Sequence, residues 1–313
     1  MHIRLDNRLE LLFTIMLLSD YEDGGLLARK DNGQAEQARA QFSKCSSHQA
    51  VIDFSKLWMA EISMDSIPYY AMSLAEDYSL NPKIDLEYLL EDVTDLETIS
   101  AYTKKLKAFA EESDFDGYFL RLKTDFAPYL EKINSLLDKR PVQAILERYL
   151  GMKFPRVNIV LSTLMKPFMS LTFPGEEQTE VYSITSYPGL LLAEQNQGLE
   201  RVLICSVWHE LSHHVINPLS EKLFESDEMM RDKMYELFCP LNESIIWAIT
   251  IRLLLAEGII TEKSVGIMMQ NAINNKAPMT ESMYKLLIDY ESKRHLYPSI
   301  SAYFPVLFEV ICK

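Results

Sequence analysis

The stretch SVWHELSHHVINP (206–218) places His209 and His213 four residues apart, with Glu210 directly after the first. Val207, Leu211 and Val215 recur at the same interval, which predicts an α-helix with one apolar stripe. At ~1.5 Å rise per residue the two imidazoles share a face about 6 Å apart along the axis. Side chains so placed converge on one tetrahedral cation at metal–nitrogen distances of ~2.0–2.1 Å. Glu210 is poorly placed to bind the same ion and well placed to take a proton from water beside it. The plain alternative is a coincidence on a polar helix face. The apolar stripe and the strand-rich segment upstream favour the metal site. His214 falls off the ligand face and reads as a packing or hydrogen-bonding residue. Cys205, four residues before His209, reads as a buried, inert thiol.

A catalytic zinc takes a third protein ligand and keeps one position open. No histidine follows His214 until His295, so the third ligand is expected to be a carboxylate from a second helix. The segment CPLNESIIWAITIRLLLAEG (239–258) offers Glu243 near a predicted helix start, ahead of an almost wholly apolar body. One reading makes Glu243 a first-turn acid complementing the helix dipole. The other makes it the ligand, preferred here because tetrahedral zinc requires a further partner. Glu221, Glu225, Asp227, Glu228 and Glu236 compete, but their segment reads as the wet face of an amphipathic helix.

His209, Glu210, His213 and the downstream Glu243 resemble the gluzincin class of zinc metallopeptidases, whose third ligand is a glutamate. More narrowly, WHELSHHVINP, NESIIWAITIR and YKLLIDYESKRHLYPSISAYFPVLFEV are similar to an uncharacterised bacterial family known as a domain of unknown function. The resemblance covers most of the chain, with its specific motifs between 206 and 305. It implies a zincin-like catalytic region and supplies no substrate.

Composition narrows the classes of partner. The chain has 313 residues, of which 48% are apolar and 24% charged, as in an ordinary globular protein. A formal charge of −14 argues against nucleic acid, whose binding rests on Lys and Arg neutralising phosphates. Cys45, Cys205, Cys239 and Cys312 are scattered without a CxxC pair, so no disulfide framework is expected. LLFTIMLL (11–18) is too short to span a bilayer and reads as a core helix. No transmembrane segment is expected. As written the chain reads as cytoplasmic, or as exported if a signal segment was removed.

The expected fold is α+β and predominantly helical. A helical N-terminal part (1–150, with a soft boundary) precedes a zincin-like region (151–313) with a small, mainly antiparallel sheet. RVNIVLSTL, PFMSLTF and TEVYSITS, which begin at 156, 167 and 179, read as its strands. YEDGGLLARKDNGQAEQ (21–37) reads as a solvated connection. The clearest N-terminal helices are DLETISAYTKKLKAFAEES and FDGYFLRLKTDFAPYLEKINSLL. Later ones are expected near 196–216, 220–238, 242–256, 262–273, 280–294 and 299–311.

The expected activity is zinc-dependent hydrolysis of a peptide or protein substrate, with Zn2+ held by His209, His213 and Glu243 and with Glu210 as general base. Tyr284 and His295 are the named oxyanion candidates, taken from a set that also holds Tyr290, Tyr297, Tyr303 and Arg294. The alternatives are a zinc hydrolase of a non-peptide amide and a catalytically inactive zincin-like interaction protein. The sequence carries no signal of oligomeric state.

Overall fold

The side chain of Asp6 accepts from the Arg8 N–H at 3.2 Å and so opens α1 (Asn7–Leu18). Every residue of α1 from Leu9 to Leu17 is buried, as expected for a helix apolar on all sides. The computed structural model describes residues 2–19, 21, 24–28, 32–58, 65–91, 93, 95–173, 179–196, 198–226 and 231–309. Among them are thirteen α-helices and one four-stranded sheet, an α+β and predominantly helical fold.

The chain divides into two compact units, Met1–Leu136 with Arg156–Leu199, and Leu137–Pro155 with Glu200–Lys313. This interleaved division differs from a single cut near 150. The reason lies in a strand the sequence did not announce, β1 (Ile3–Leu5), which pairs with β2 (Arg156–Ser162) and draws the sheet to the N-terminal helices.

The first unit also holds α2 (Gly33–Gln41), α3 (Gln49–Leu57), α4 (Ser66–Met72), α5 (Leu96–Glu112) and most of α6 (Phe115–Asp138). After β2 come β3 (Met169–Phe173), β4 (Glu180–Ser186) and α8 (Tyr187–Gln195), with α7 (Val142–Leu150) belonging to the second unit. The sheet order is β1-β2-β4-β3. β1–β2 and β2–β4 are parallel, and only β3–β4 is antiparallel. The expectation of a mainly antiparallel sheet is therefore corrected to a mixed one. β3 lies outside β4, so β2 and β4 meet in parallel register with Val160 opposite Ile184.

Part of the expected solvated connection is core. Leu26, Leu27 and Ala28 are buried, and Leu27 bridges Met165. Ala28 N–H donates to the Leu164 carbonyl, and Lys166 N–H to that of Leu26, each at 2.8 Å. Gly33–Gln41 is helical with Ala35 and Ala38 inside. So few apolar residues in a polar stretch leave no periodic signal.

One buried acid in this unit gives a pH prediction. Glu10 is 1% exposed and accepts from the Thr163 N–H at 2.8 Å, with the Thr163 hydroxyl on its other oxygen. Burial pushes its carboxyl up to about 7, although the Thr163 hydrogen bonds pull the other way. The folded chain then holds a proton that the unfolded chain releases near 4.5. This contribution is complete below 4.5 and is lost as pH rises through 7. At 1.36 kcal/mol per pH unit the loss is about 3 kcal/mol. Urea unfolding of the wild type and Glu10→Gln between pH 5 and pH 8 should show the two stabilities diverging by that order. Parallel curves would refute it.

The second unit contains α7, α9 (Leu199–Ser226) from Glu200 onward, α10 (Met234–Ala256), α11 (Glu262–Asn274), α12 (Thr280–Ser292) and α13 (Ile300–Phe308). Gly151 ends α7 at φ 67°, and a Cβ there would meet the Pro298 carbonyl at 2.2 Å, so only glycine fits. The expected helix break near Pro218 is absent, and α9 runs through it to Ser226. Pro218 removes only the N–H that would reach the His214 carbonyl, and packing holds the rest. In α10, likewise, Pro240 is internal. α10 alone among the described residues is long and apolar enough to cross a membrane. It is a core helix of this unit, with Ile245, Ile246, Ile249 and Leu254 wholly buried.

Candidate metal centre

Glu243 stands nine residues inside α10, not at its start. The macrodipole acts within the first turn, so the reading of Glu243 as a dipole-compensating acid falls away. Its carboxylate instead faces the two histidines of α9. Glu243 Oε2 lies 3.4 Å from His209 Nε2, and Oε1 lies 3.5 Å from His213 Nε2. The two Nε2 atoms are 3.3 Å apart. One donor atom from each residue falls in a group spanning no more than 4.8 Å. A tetrahedron with arms of ~2.0–2.1 Å has edges of ~3.3–3.4 Å, so the donor set and its spacing fit zinc.

The spacing follows from helix geometry. His209 and His213 are one turn apart on α9, and Trp247 is one turn beyond Glu243 on α10, its ring 4.7 Å from that of His209. His213 Nδ1 lies 3.3 Å from Asn217 Oδ1. His209 Nδ1 is buried without a hydrogen bond among the described residues. Glu210 is 8% exposed.

Electrostatics separate the two imidazoles. Burial and the neighbouring His209 charge push His213 down to about 4, so its ring is neutral. Burial also works against a charge on His209. The hydrogen bond to Glu243 and the charges of Glu210 and Glu243 outweigh it and raise His209. Burial opposes the Glu243 charge too, yet His209, His213 and the Trp247 hydrogen bond hold its carboxyl below the usual range. The same carboxylate thus acts on both rings, and the shifts of the two imidazoles run in opposite directions.

Residues 1–310 match the family described as "Domain of unknown function (DUF4932)". The chain belongs to that family. No curated protein and no solved structure matches it. The description of DUF4932 names no reaction, so chemistry must be read from the residues.

The remaining predicted residues of this DUF4932 chain sit in other networks. Tyr284 accepts from Arg252 at 3.1 Å, under a guanidinium 4.9 Å from its ring centroid. Arg252 also grips Glu291 and lies nine residues beyond Glu243, about 13 Å along α10. Tyr284 therefore ties helices together and is not joined to the triad. His295 is exposed in the turn after α12. Tyr290 donates to the Tyr149 carbonyl, Tyr303 to the Leu286 carbonyl, and Arg294 to the carbonyls of Arg148 and Tyr149 at the end of α7. Tyr297 packs edge-on against Tyr303. These phenols take part in contacts of their own, and neither they nor His295 is brought to His209, His213 or Glu243 by a described contact.

Among the competing acids, Glu221, Glu225 and Glu236 are exposed, while Asp227 and Glu228 lie outside the described residues. His214 is pushed down to about 4 by burial and by His213, in keeping with an off-ligand packing role. Burial pushes the Cys205 thiol up to about 12, which makes it inert. Asn217 and Trp247 escaped the sequence reading, although each repeats the four-residue step from a ligand, His213 and Glu243 respectively.

Proposed function

We propose that this chain is a zinc-dependent hydrolase of gluzincin type, cleaving peptide bonds. The observation that carries the reading is the convergence of His209 and His213 from one helix and Glu243 from another at tetrahedral-edge spacing. Two histidines and one glutamate make an open set, whereas closed structural zinc sites use four protein ligands drawn mainly from Cys and His. Zinc held there supplies a Lewis acid and brings the pKa of water towards ~7.

The chain's own groups do the rest. Glu210 adjoins the ligand face, accepts the proton of the attacking water and delivers a proton to the leaving amine. Burial of His209 and Glu210 keeps bulk solvent from competing for that proton.

The test is zinc uptake by the full chain followed by digestion of a broad peptide library. One zinc per chain and cleavage products are expected. Replacing His213 by Ala should weaken zinc by about 100- to 1000-fold, one ligand's share of a typical structural-site affinity. Absence of zinc uptake would overturn the metal centre, and zinc uptake without peptide cleavage would overturn the peptidase.

A further inference from the structure

Three ligands hold a metal well only when something fixes the direction each one faces. Here the fixing groups are identifiable, and they come from the same helical register as the ligands. On α9 the step of four runs His209, His213, Asn217. On α10 it runs Glu243, Trp247. We infer that Asn217 and Trp247 are the positioning residues of the metal centre, Asn217 setting the tautomer of His213 and Trp247 orienting both Glu243 and His209. The inference rests on the metal-centre reading above.

The Asn217 argument is one of proton count. Its Oδ1 can only accept, so the 3.3 Å contact requires a proton on His213 Nδ1. The lone pair is then on Nε2, the atom that faces His209 and Glu243. Without that acceptor the ring is free to carry its proton on Nε2, where it blocks a cation.

Trp247 works on two ligands at once. Its indole stands one turn after Glu243 on α10 and helps hold the charge on that carboxylate, and an indole N–H has no lone pair with which to compete for the cation. Its ring meets the His209 ring at 4.7 Å with the planes inclined at 52°. This contact takes the place of the usual hydrogen bond behind a ligand histidine, since the buried His209 Nδ1 has no partner among the described residues.

Two readouts on the full chain test this without any activity: zinc affinity by competition with a chromophoric chelator, and the visible spectrum with Co2+ in place of zinc. Asn217→Ala should weaken zinc by about 10- to 100-fold and shift the cobalt bands. Asn217→Asp, which keeps the acceptor, should restore wild-type affinity. Trp247→Phe keeps a ring and loses the N–H, with an expected loss of about tenfold, and Trp247→Leu should lose more. Asn217→Ala and Trp247→Phe chains with unchanged affinity and superimposable cobalt spectra would overturn the inference while leaving the metal centre standing. A wild-type chain that takes up neither metal overturns the metal-centre reading itself. Should the Trp247 variants fail to fold, the partly exposed Asn217 pair decides alone: loss with Ala and rescue with Asp sustain its half of the inference, and no loss refutes it.

Discussion

A Glu210→Gln chain should keep one zinc and lose hydrolysis by about 100- to 10,000-fold, the usual worth of a positioned general base. The substitution is nearly isosteric, so packing around a side chain only 8% exposed is disturbed little. A carboxamide has no basic site for the water proton, which removes the proposed step. The proximity of Glu210 to the ligands is electrostatic as well as sequential, since its negative charge helps raise His209. Glu210→Asp separates the two roles: it keeps a carboxylate but draws it back by one methylene, so a smaller loss is expected. Full peptide cleavage by Glu210→Gln would show that another group takes the proton. Loss of zinc along with activity would show that Glu210 supports the ligands and is not the base.

What could be read from the sequence follows from what each residue type must do locally. The triad was legible because an i,i+4 histidine pair and an acid leading an apolar helix each have few other uses. The orientation of the sheet was not, because parallel or antiparallel pairing depends on where a strand lands after its connection. β3 passes beyond β4, and three residues of β1 arrive from the far end of the chain. Pro218 and Pro240 pointed to helix ends that packing overrides, which hid the true position of Glu243 within α10. The partner of Tyr284 was hidden for a related reason: Arg252, which donates to its hydroxyl, lies on another helix and far away in sequence.

The same histidine helix sets the expected cost of a core substitution. Trp208, directly before the first ligand, is wholly buried, and its indole N–H donates to the Val142 carbonyl at 2.9 Å. This bond ties α9 to the start of α7. Trp208→Ala should cost about 3–5 kcal/mol for the lost ring and cavity. Losing the indole hydrogen bond to the Val142 carbonyl, which keeps its helical partner, adds about 1 kcal/mol. Against a total stability of ~5–15 kcal/mol, that removes much of the margin. Trp208→Phe retains much of the volume and isolates the hydrogen bond, so it should lose far less. Zinc adds a second handle, because a ligand that binds only the folded state stabilises by ~2.7 kcal/mol at a hundred times its dissociation constant. Urea unfolding of metal-free Trp208→Ala should therefore give a low midpoint that rises on adding zinc. In a Trp208→Ala, His213→Ala double variant the low midpoint should remain and the zinc response should vanish. A Trp208→Ala midpoint within experimental error of the wild type would mean that this indole does not anchor the helix, and the rigidity assumed for the metal face would lose its structural basis.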